Sequence, residues 1–241
     1  MRPRLSLALL CVSLLLAAVA AAVSTWLVWL PCQGSMLNGF LGLREASGFS
    51  DACLARMDGS ATAPLVAGVA EAKALSVILL GLGWWGYASH LRFAKLPRAV
   101  VLSPILPIGW FAGQTWLSAS AGTLWETTTA MGMISLTCLL AGVVLLLHPA
   151  DNRTRYVGLI GLWGVASYGV LHFASDYMLM IGFSAANWDV PPGTGYLSAA
   201  GMIVCALLVA ILGWRATRPQ SPEIRATPTT SVRVPVTAAN R

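Results

Sequence analysis

Six apolar stretches, each about 20 residues or longer, constrain this sequence more than any other feature. They cover residues 5–30, 64–89, 99–119, 127–147, 157–183 and 195–214. An α-helix rises about 1.5 Å per residue, so about 20 apolar residues cross the roughly 30 Å of hydrocarbon in a bilayer. Because hydrocarbon offers no water to backbone amides, a crossing stretch must be helical. The sequence therefore predicts an all-α, polytopic membrane helix bundle with six transmembrane helices.

The composition supports a membrane protein and argues against a water-soluble one. Of the 241 residues, 57% are hydrophobic and 10% are charged, and the mean hydropathy is +0.73. An average soluble domain carries about 25% charged residues, which cover its water-facing surface. Arginine greatly outnumbers lysine, and alanine and leucine abound, as is typical of a bacterial genome of high GC content. We therefore predict a multi-pass protein of a bacterial cell (plasma) membrane, in direct contact with the lipid bilayer.

The distribution of basic residues predicts how the helices are oriented. Basic residues beside membrane helices concentrate on the cytoplasmic side. If the N-terminus is cytoplasmic, most of the 15 Lys and Arg residues fall on that side. They are Arg2, Arg4, Arg92, Lys95, Arg98, Arg153, Arg155, Arg215, Arg218, Arg225, Arg233 and Arg241. Both termini are therefore predicted to be cytoplasmic, and the net charge of +6 gives no reason to expect nucleic-acid binding.

The first stretch also resembles a signal peptide, which leaves two interpretations of the N-terminus. Residues 1–4 are a basic cytoplasmic N-terminus, and small residues near Ala22 resemble a cleavage site. Hydrophobicity continues to Leu30, which is longer than an ordinary signal core and favours a retained helix. Residues 5–214 then form the six-helix transmembrane domain. Residues 215–241 are rich in Pro, Thr and Arg and are predicted to be a disordered basic cytoplasmic tail.

The longest outer loop, residues 31–63, contains two of the five cysteines. Cys32 and Cys53 would face an oxidising compartment, so a disulfide between them is expected. Within this loop the segment SDACLARM predicts a short helix capped by Ser50 or Asp51. Its apolar residues Met36, Leu37, Phe40, Leu41 and Phe49 are expected to pack over the helix ends rather than to contact a partner. The loop is therefore predicted to be a disulfide-linked lid.

Ionisable side chains inside the apolar stretches lie near their outer ends. His172 and Asp176 are one helical turn apart in the fifth stretch, and Glu71 and Lys73 lie at a similar depth in the second. A charge at the centre of a membrane helix costs about 2.5–3.5 kcal/mol, so such residues pair, face the bundle interior or line a wet cavity. We expect an outward-facing polar pocket between these two helices. The other polar residues of this zone are Gln114 and Glu126.

Three uses of this cluster are consistent with its residue types. In an enzyme, His172 would be the general acid or base, oriented by Asp176 or Glu71. In a binding or transport site, the same groups would be ligands or proton carriers. In a structural role, a pair such as Lys73 with Asp176 would neutralise buried charge and dock helices. The sequence has no HxxxH, HExxH or GxSxG motif, so no metal or cofactor is predicted.

The preferred hypothesis is an integral membrane protein that handles a small or lipidic molecule in its outer half, as a membrane enzyme or a transporter-like protein. The alternative is a non-catalytic subunit that assembles with another membrane protein of the cell envelope, its charges serving to dock helices. The inner halves of the apolar stretches hold almost no ionisable residues, which argues against a solute path through the whole membrane. No motif identifies a substrate.

Overall fold

The computed structural model describes residues 3–32, 50–58, 66–122, 128–147, 152–183, 190 and 193–217. Within these ranges the chain is helical and contains no β-strand, as predicted. The α-helices are α1 (Pro3–Val28), α2 (Asp51–Met57), α3 (Val69–Ala88), α4 (Lys95–Leu102), α5 (Ile105–Ala121), α6 (Thr128–Leu147), α7 (Asn152–Val165), α8 (Val170–Phe183) and α9 (Tyr196–Thr217). Short 3-10 helices cover Leu30–Cys32 and Ala166–Tyr168.

In the part of the chain that the structure describes, five helical segments are long and apolar enough to cross a bilayer, and a bent pair makes a sixth crossing if it counts as one span. The outward surfaces of these segments are rich in apolar side chains, such as Leu106 at 77% exposure and Leu147 at 79%. Side chains of this kind match hydrocarbon and would be unfavourable in water. The fold is therefore compatible with a multi-pass membrane protein. The five are Arg4–Val28, Val69–Ala88, Lys95–Ala121, Thr128–Leu147 and Tyr196–Gly213.

The fifth predicted helix, residues 157–183, is broken rather than continuous. Between α7 and α8 the backbone forms a 3-10 turn over Ala166–Tyr168 and is then extended at Gly169, with φ −84° and ψ 164°. The segments on either side meet at 71°. Gly169 lies so close to Ser135 of α6 that a Cβ atom there would collide with its Oγ. Hydropathy alone did not predict the break, because an apolar run looks the same whether it is straight or bent.

The third apolar stretch is interrupted where it contains two prolines. Helix α4 ends at Leu102, and Pro104 immediately precedes α5. Pro107 lies in the first turn of α5, where a missing N–H group removes no hydrogen bond within the helix. The prolines therefore start a new helix at little cost to its hydrogen bonding.

Two other boundaries differ from the prediction or lie outside the described residues. Helix α9 continues to Thr217, so residues 215–217, predicted to belong to the disordered tail, are helical. The rest of that tail, 218–241, and the loop residues 33–49 and 59–65 lie outside the described residues. The predicted lid of apolar loop residues, all of which fall in 33–49, is therefore not described.

Helix α1 packs against α3 and α9, and small side chains let it approach α3 closely. Two serine hydroxyls join α1 to α3. Ser24 Oγ donates to the Val69 carbonyl at 3.0 Å, and Ser76 Oγ donates to the Ala17 carbonyl at 2.7 Å. Helices in lipid gain little from hydrophobic association, so close packing and such hydrogen bonds hold them together.

Glycines on α7 leave room for two leucine side chains of α1. A Cβ atom at Gly161 would lie 2.8 Å from Leu10 Cδ2. A Cβ atom at Gly164 would lie 2.6 Å from Leu14 Cδ2 and 3.2 Å from the Cβ atom of Cys205 on α9. Because Leu10 and Leu14 are fully buried, they have little room to move aside.

We expect Gly164→Leu to destabilise the bundle by about 1–3 kcal/mol, the usual cost of overpacking a tight interior. The matched control is Gly113→Leu on α5, where a Cβ atom would meet nothing within 4 Å. Thermal unfolding of the purified proteins in detergent measures the difference. Equal melting temperatures for the two variants would show that α7 and α1 are not packed as described.

The predicted helix and cysteine pair of the long loop are both present. Cys32 and Cys53 lie at disulfide distance, with Cα atoms 4.9 Å apart. Ser50 caps α2, because its Oγ accepts a hydrogen bond from the Cys53 N–H at 3.2 Å. The same hydroxyl donates to the Pro31 carbonyl at 3.1 Å, which links α2 to the end of α1. We call the end of the bundle that carries this pair the disulfide end.

Candidate functional site: a cavity that contains Lys73 and Asp176

A cavity of about 280 Å³ lies at the disulfide end of the bundle. Its volume is near the lower end of the range of about 300–1,000 Å³ typical of small-molecule sites. Side chains from α1, α3, α5, α6, α8 and α9 form its walls. Its lining residues are Ala21, Ser24, Thr25, Val28, Trp29, Lys73, Phe111, Met131, Ser167, Tyr168, Phe173, Asp176, Val190, Thr194, Gly195, Ser198 and Met202. The cavity is therefore mostly apolar, with a cation and an anion among its lining groups.

The disulfide end covers one side of this cavity. Trp29 is buried together with Cys32, Cys53 and Met57, and its indole Nε1 donates to the Thr194 carbonyl at 3.1 Å. These contacts connect the end of α1 to the turn that leads into α9. The same cluster therefore helps to position both walls of the cavity.

Lys73 supplies the cation of the cavity from the first turns of α3. Its Nζ lies 5.2 Å from the centroid of the Phe111 ring on α5, within the range of a cation–π interaction. Among the described residues, no carboxylate lies within 4.0 Å of this ammonium group. An aromatic face attracts an ammonium group but does not satisfy its three N–H donors as oxygen acceptors would. The described residues therefore compensate this cation only in part.

Asp176 supplies the anion, and one of its oxygens caps a neighbouring helix. The side chain is 2% exposed. Its Oδ2 accepts hydrogen bonds from the Gly195 N–H at 2.6 Å and from Ser198 Oγ at 3.3 Å. Gly195 immediately precedes α9, whose first N–H groups have no partner within the helix and favour a negative charge nearby. Asp176 on α8 therefore fixes the start of α9.

The turn before α9 depends on glycine, as its sequence predicts. Gly193 and Gly195 have φ angles of +88° and +113°, a region that other residues rarely adopt. A Cβ atom at Gly195 would also lie 2.6 Å from Thr25 Oγ1 on α1. This close approach brings the Gly195 N–H to the carboxylate of Asp176.

Two buried oxygens that belong to cavity-lining residues have no hydrogen-bond partner among the described residues. They are the second carboxylate oxygen, Asp176 Oδ1, and the hydroxyl Oγ of Ser167, which is 4% exposed. Ser167 belongs to the 3-10 turn at the break between α7 and α8. Buried polar atoms in folded proteins nearly always have a partner, so each such exception needs an explanation.

His172 does not share the cavity with Asp176, contrary to the prediction. Its ring lies against Trp163 of α7, with centroids 4.4 Å apart, and it lines a separate groove of about 250 Å³ between α6, α7 and α8. Residues four apart on a helix differ by about 40° in direction. Because α8 follows the bend at Gly169, one of its edges contacts that groove and another contacts the cavity. The two side chains therefore have different neighbours.

Two other predicted site residues, Glu71 and Gln114, do not line the cavity. Glu71 is exposed, since two residues on a helix are about 200° apart and Lys73 already points inward. Gln114 is half-buried, and its Oε1 has no partner among the described residues. Glu126 falls outside the described residues. Where the chain is described, no three His, Cys, Asp or Glu side chains are arranged to hold a metal ion.

Several lining residues were missed from the sequence. Ser167 and Ser198 carry no charge, so nothing in the sequence distinguished them from other serines in apolar helices. Phe111 looked like one more lipid-facing or core aromatic residue. The one local signal is the PPGTG segment, whose glycines permit a tight turn but do not indicate the carboxylate that binds the Gly195 N–H.

No protein-family model, curated protein or solved structure matches this chain. The functional argument therefore depends on the chemistry of the cavity.

Two variants of Asp176 distinguish its role as a hydrogen-bond acceptor from the effect of its charge. Asp176→Ala removes both accepted hydrogen bonds and leaves a buried N–H group unsatisfied, so we expect a loss of about 2 kcal/mol. Asp176→Asn retains a carbonyl oxygen that can accept from Gly195, so its loss of stability should be smaller. Thermal unfolding in detergent measures both. If Asp176→Ala lowered the melting temperature no more than Asp176→Asn, the hydrogen bonds to α9 would not explain how Asp176 stabilises the protein.

Proposed function

We propose that this chain is a six-span membrane protein with both termini in the cytoplasm, and that its cavity binds a small molecule reached from the outer side. The observation that carries the proposal is the coexistence of Lys73 and Asp176 in one cavity without an ion pair between them. Charges buried in a protein are normally paired, since isolated ones are costly to remove from water. A bound molecule would supply the missing partners.

The proposed orientation has support at both ends of the bundle. The Cys32–Cys53 pair and the cavity share one end, and a disulfide persists only in an oxidising compartment. Arg92, in the turn between α3 and α4, and Lys95, the first residue of α4, belong to the opposite end. Basic residues favour the cytoplasmic side, so the disulfide end would face outward.

The broken helix also favours a binding site. Unwound backbone is tolerated at membrane depth where it is buried in protein or lines a cavity, and ligand sites of transporters are often built at such breaks. Here the break places Ser167 and Tyr168 in the cavity wall. By contrast, His172 lies in another groove, so a His172–Asp176 acid–base pair lacks the geometry that an enzyme would need. Binding is therefore a better description of this site than acid–base catalysis centred on histidine.

The alternative, a non-catalytic subunit that assembles with another membrane protein, is favoured by one observation. Asp176 caps α9, and this structural role by itself gives a reason for burying a carboxylate. It does not account for Lys73, which lies in the same cavity without a carboxylate partner among the described residues. We therefore prefer the binding function.

Cysteine labelling on intact cells tests the outward-open cavity. In a background where Cys11, Cys138 and Cys205 are replaced by alanine, Ser198→Cys should react with a membrane-impermeant, positively charged thiosulfonate, because a wet cavity permits the reactive thiolate. The matched control is Val204→Cys on the same helix, a position that is 53% exposed on the apolar surface. It should not react, since hydrocarbon disfavours the thiolate and excludes the reagent.

A third position tests the orientation. Arg92→Cys is exposed at the opposite end and should react only after the cells are permeabilised. If Ser198→Cys stays unmodified even then, the cavity is dry or closed and the proposed function is wrong. If Arg92→Cys reacts in intact cells and Ser198→Cys does not, the orientation is reversed.

A further inference from the structure

Resting on the proposed binding function, we infer that the occupant of the cavity is a zwitterion whose ammonium group binds Asp176 and whose anionic group binds Lys73. The inference is carried by the two lining charges, the bare oxygen of Asp176 and the apolar remainder of the wall.

At the Asp176 end of the cavity, the carboxylate can accept a hydrogen bond from a ligand. Hydrogen bonds from Gly195 and Ser198 hold Oδ2 and thereby set the direction of Oδ1, which is buried and unpartnered where the chain is described. Bonds between an ammonium group and a carboxylate are among the strongest in proteins. Ser167 Oγ, the other unpartnered oxygen of the lining, can accept a second N–H of the same group.

At the Lys73 end of the cavity, the ammonium group can bind an anionic group of a ligand. The face of Phe111 lies against the ammonium group, and no described carboxylate reaches it. A carboxylate or phosphate would accept the N–H donors that the ring cannot satisfy. The same group could not bind at the Asp176 end, where its charge would repel the carboxylate.

Charge balance decides between a zwitterion and a singly charged molecule. Lys73 and Asp176 are the only Lys, Arg, Asp or Glu side chains among the described residues that line the cavity. A simple amine would bind Asp176 but bring a second positive charge near Lys73, and a simple acid would do the reverse. In a low-dielectric site, like charges and uncompensated charges are both costly. A molecule with both groups compensates both side chains and adds no net charge.

The rest of the cavity limits the size and the polarity of the occupant. Phe111, Met131, Phe173 and Met202 make much of the wall apolar, and the volume of about 280 Å³ suits a molecule of amino-acid size. Two sources supply this chemistry: a free amino acid with an apolar side chain, or the phosphoethanolamine headgroup of a bilayer lipid. Both carry an ammonium group and an anionic group a few bonds apart.

Thermal unfolding of the purified full chain in phosphatidylglycerol nanodiscs distinguishes these sources. L-leucine, L-methionine and L-phenylalanine are tested separately. Each is compared with two analogues of the same side chain, an amine that lacks the carboxylate and an acid that lacks the amino group. A second set of nanodiscs contains phosphatidylethanolamine and no added solute. A ligand that binds only the folded state raises the melting temperature with concentration. Stabilisation by an amino acid identifies a free solute, and stabilisation by phosphatidylethanolamine identifies a headgroup.

Two variants make the inference specific to the two charges. In the wild type, the apparent affinity for the zwitterion should exceed that for the matched amine or the matched acid by about tenfold or more. Lys73→Gln should remove the difference between the zwitterion and the amine. Asp176→Asn should remove the difference between the zwitterion and the acid. If the headgroup is the ligand, either variant should abolish the stabilisation by phosphatidylethanolamine. His172→Ala, one turn from Asp176 but in the other groove, is the matched control and should retain the wild-type response.

The outcomes separate this inference from the proposed function. If Ser198→Cys is labelled but no zwitterion stabilises the protein more than its singly charged analogues, the cavity is a binding site and the zwitterion assignment is wrong. If a zwitterion stabilises the wild type and both charge variants equally, the assignment is also wrong, because the effect does not depend on the cavity. If Ser198→Cys is never labelled, the function and the inference both fail.

Discussion

The need to pair backbone hydrogen-bonding groups among apolar surroundings is the constraint on which this structure depends. In a segment apolar enough to cross a bilayer, each backbone N–H and C=O group must bind another protein group, and long helices achieve this for most of the described chain. Exceptions occur at the break around Gly169 and at the start of α9. Both lie beside the same cavity, and a carboxylate from α8 binds the N–H group of Gly195 at the second of them.

This arrangement links the stability of the bundle to its proposed function through Asp176. One of its oxygens holds the start of α9, while the other is left without a partner in the described structure. Fixing the first oxygen orients the second, so no side-chain entropy need be lost when a ligand donates to it. Lys73 is oriented in a similar way by the face of Phe111. A site of this kind would be preorganised by contacts that the fold already requires.

Features that depend on near neighbours in the chain could be predicted from the sequence. The apolar stretches, the Ser50 cap, the prolines at the start of α5 and the glycines before α9 are local signals, and each is present in the structure. The grouping of charged side chains within the apolar helices is not a local feature. Lys73 and Asp176 share the cavity, whereas Glu71 is exposed and His172 lies in another groove.

The sequence by itself determined that this chain forms apolar helices and how far along each helix its charges lie, because hydropathy and the rise of a helix depend only on residue order. Only the tertiary structure decided which charges meet, because the direction of a side chain depends on how its helix is rotated and bent against its neighbours. The bend at Gly169 sets the position of α8, and that position gives Asp176 to the cavity and His172 to the groove beside Trp163.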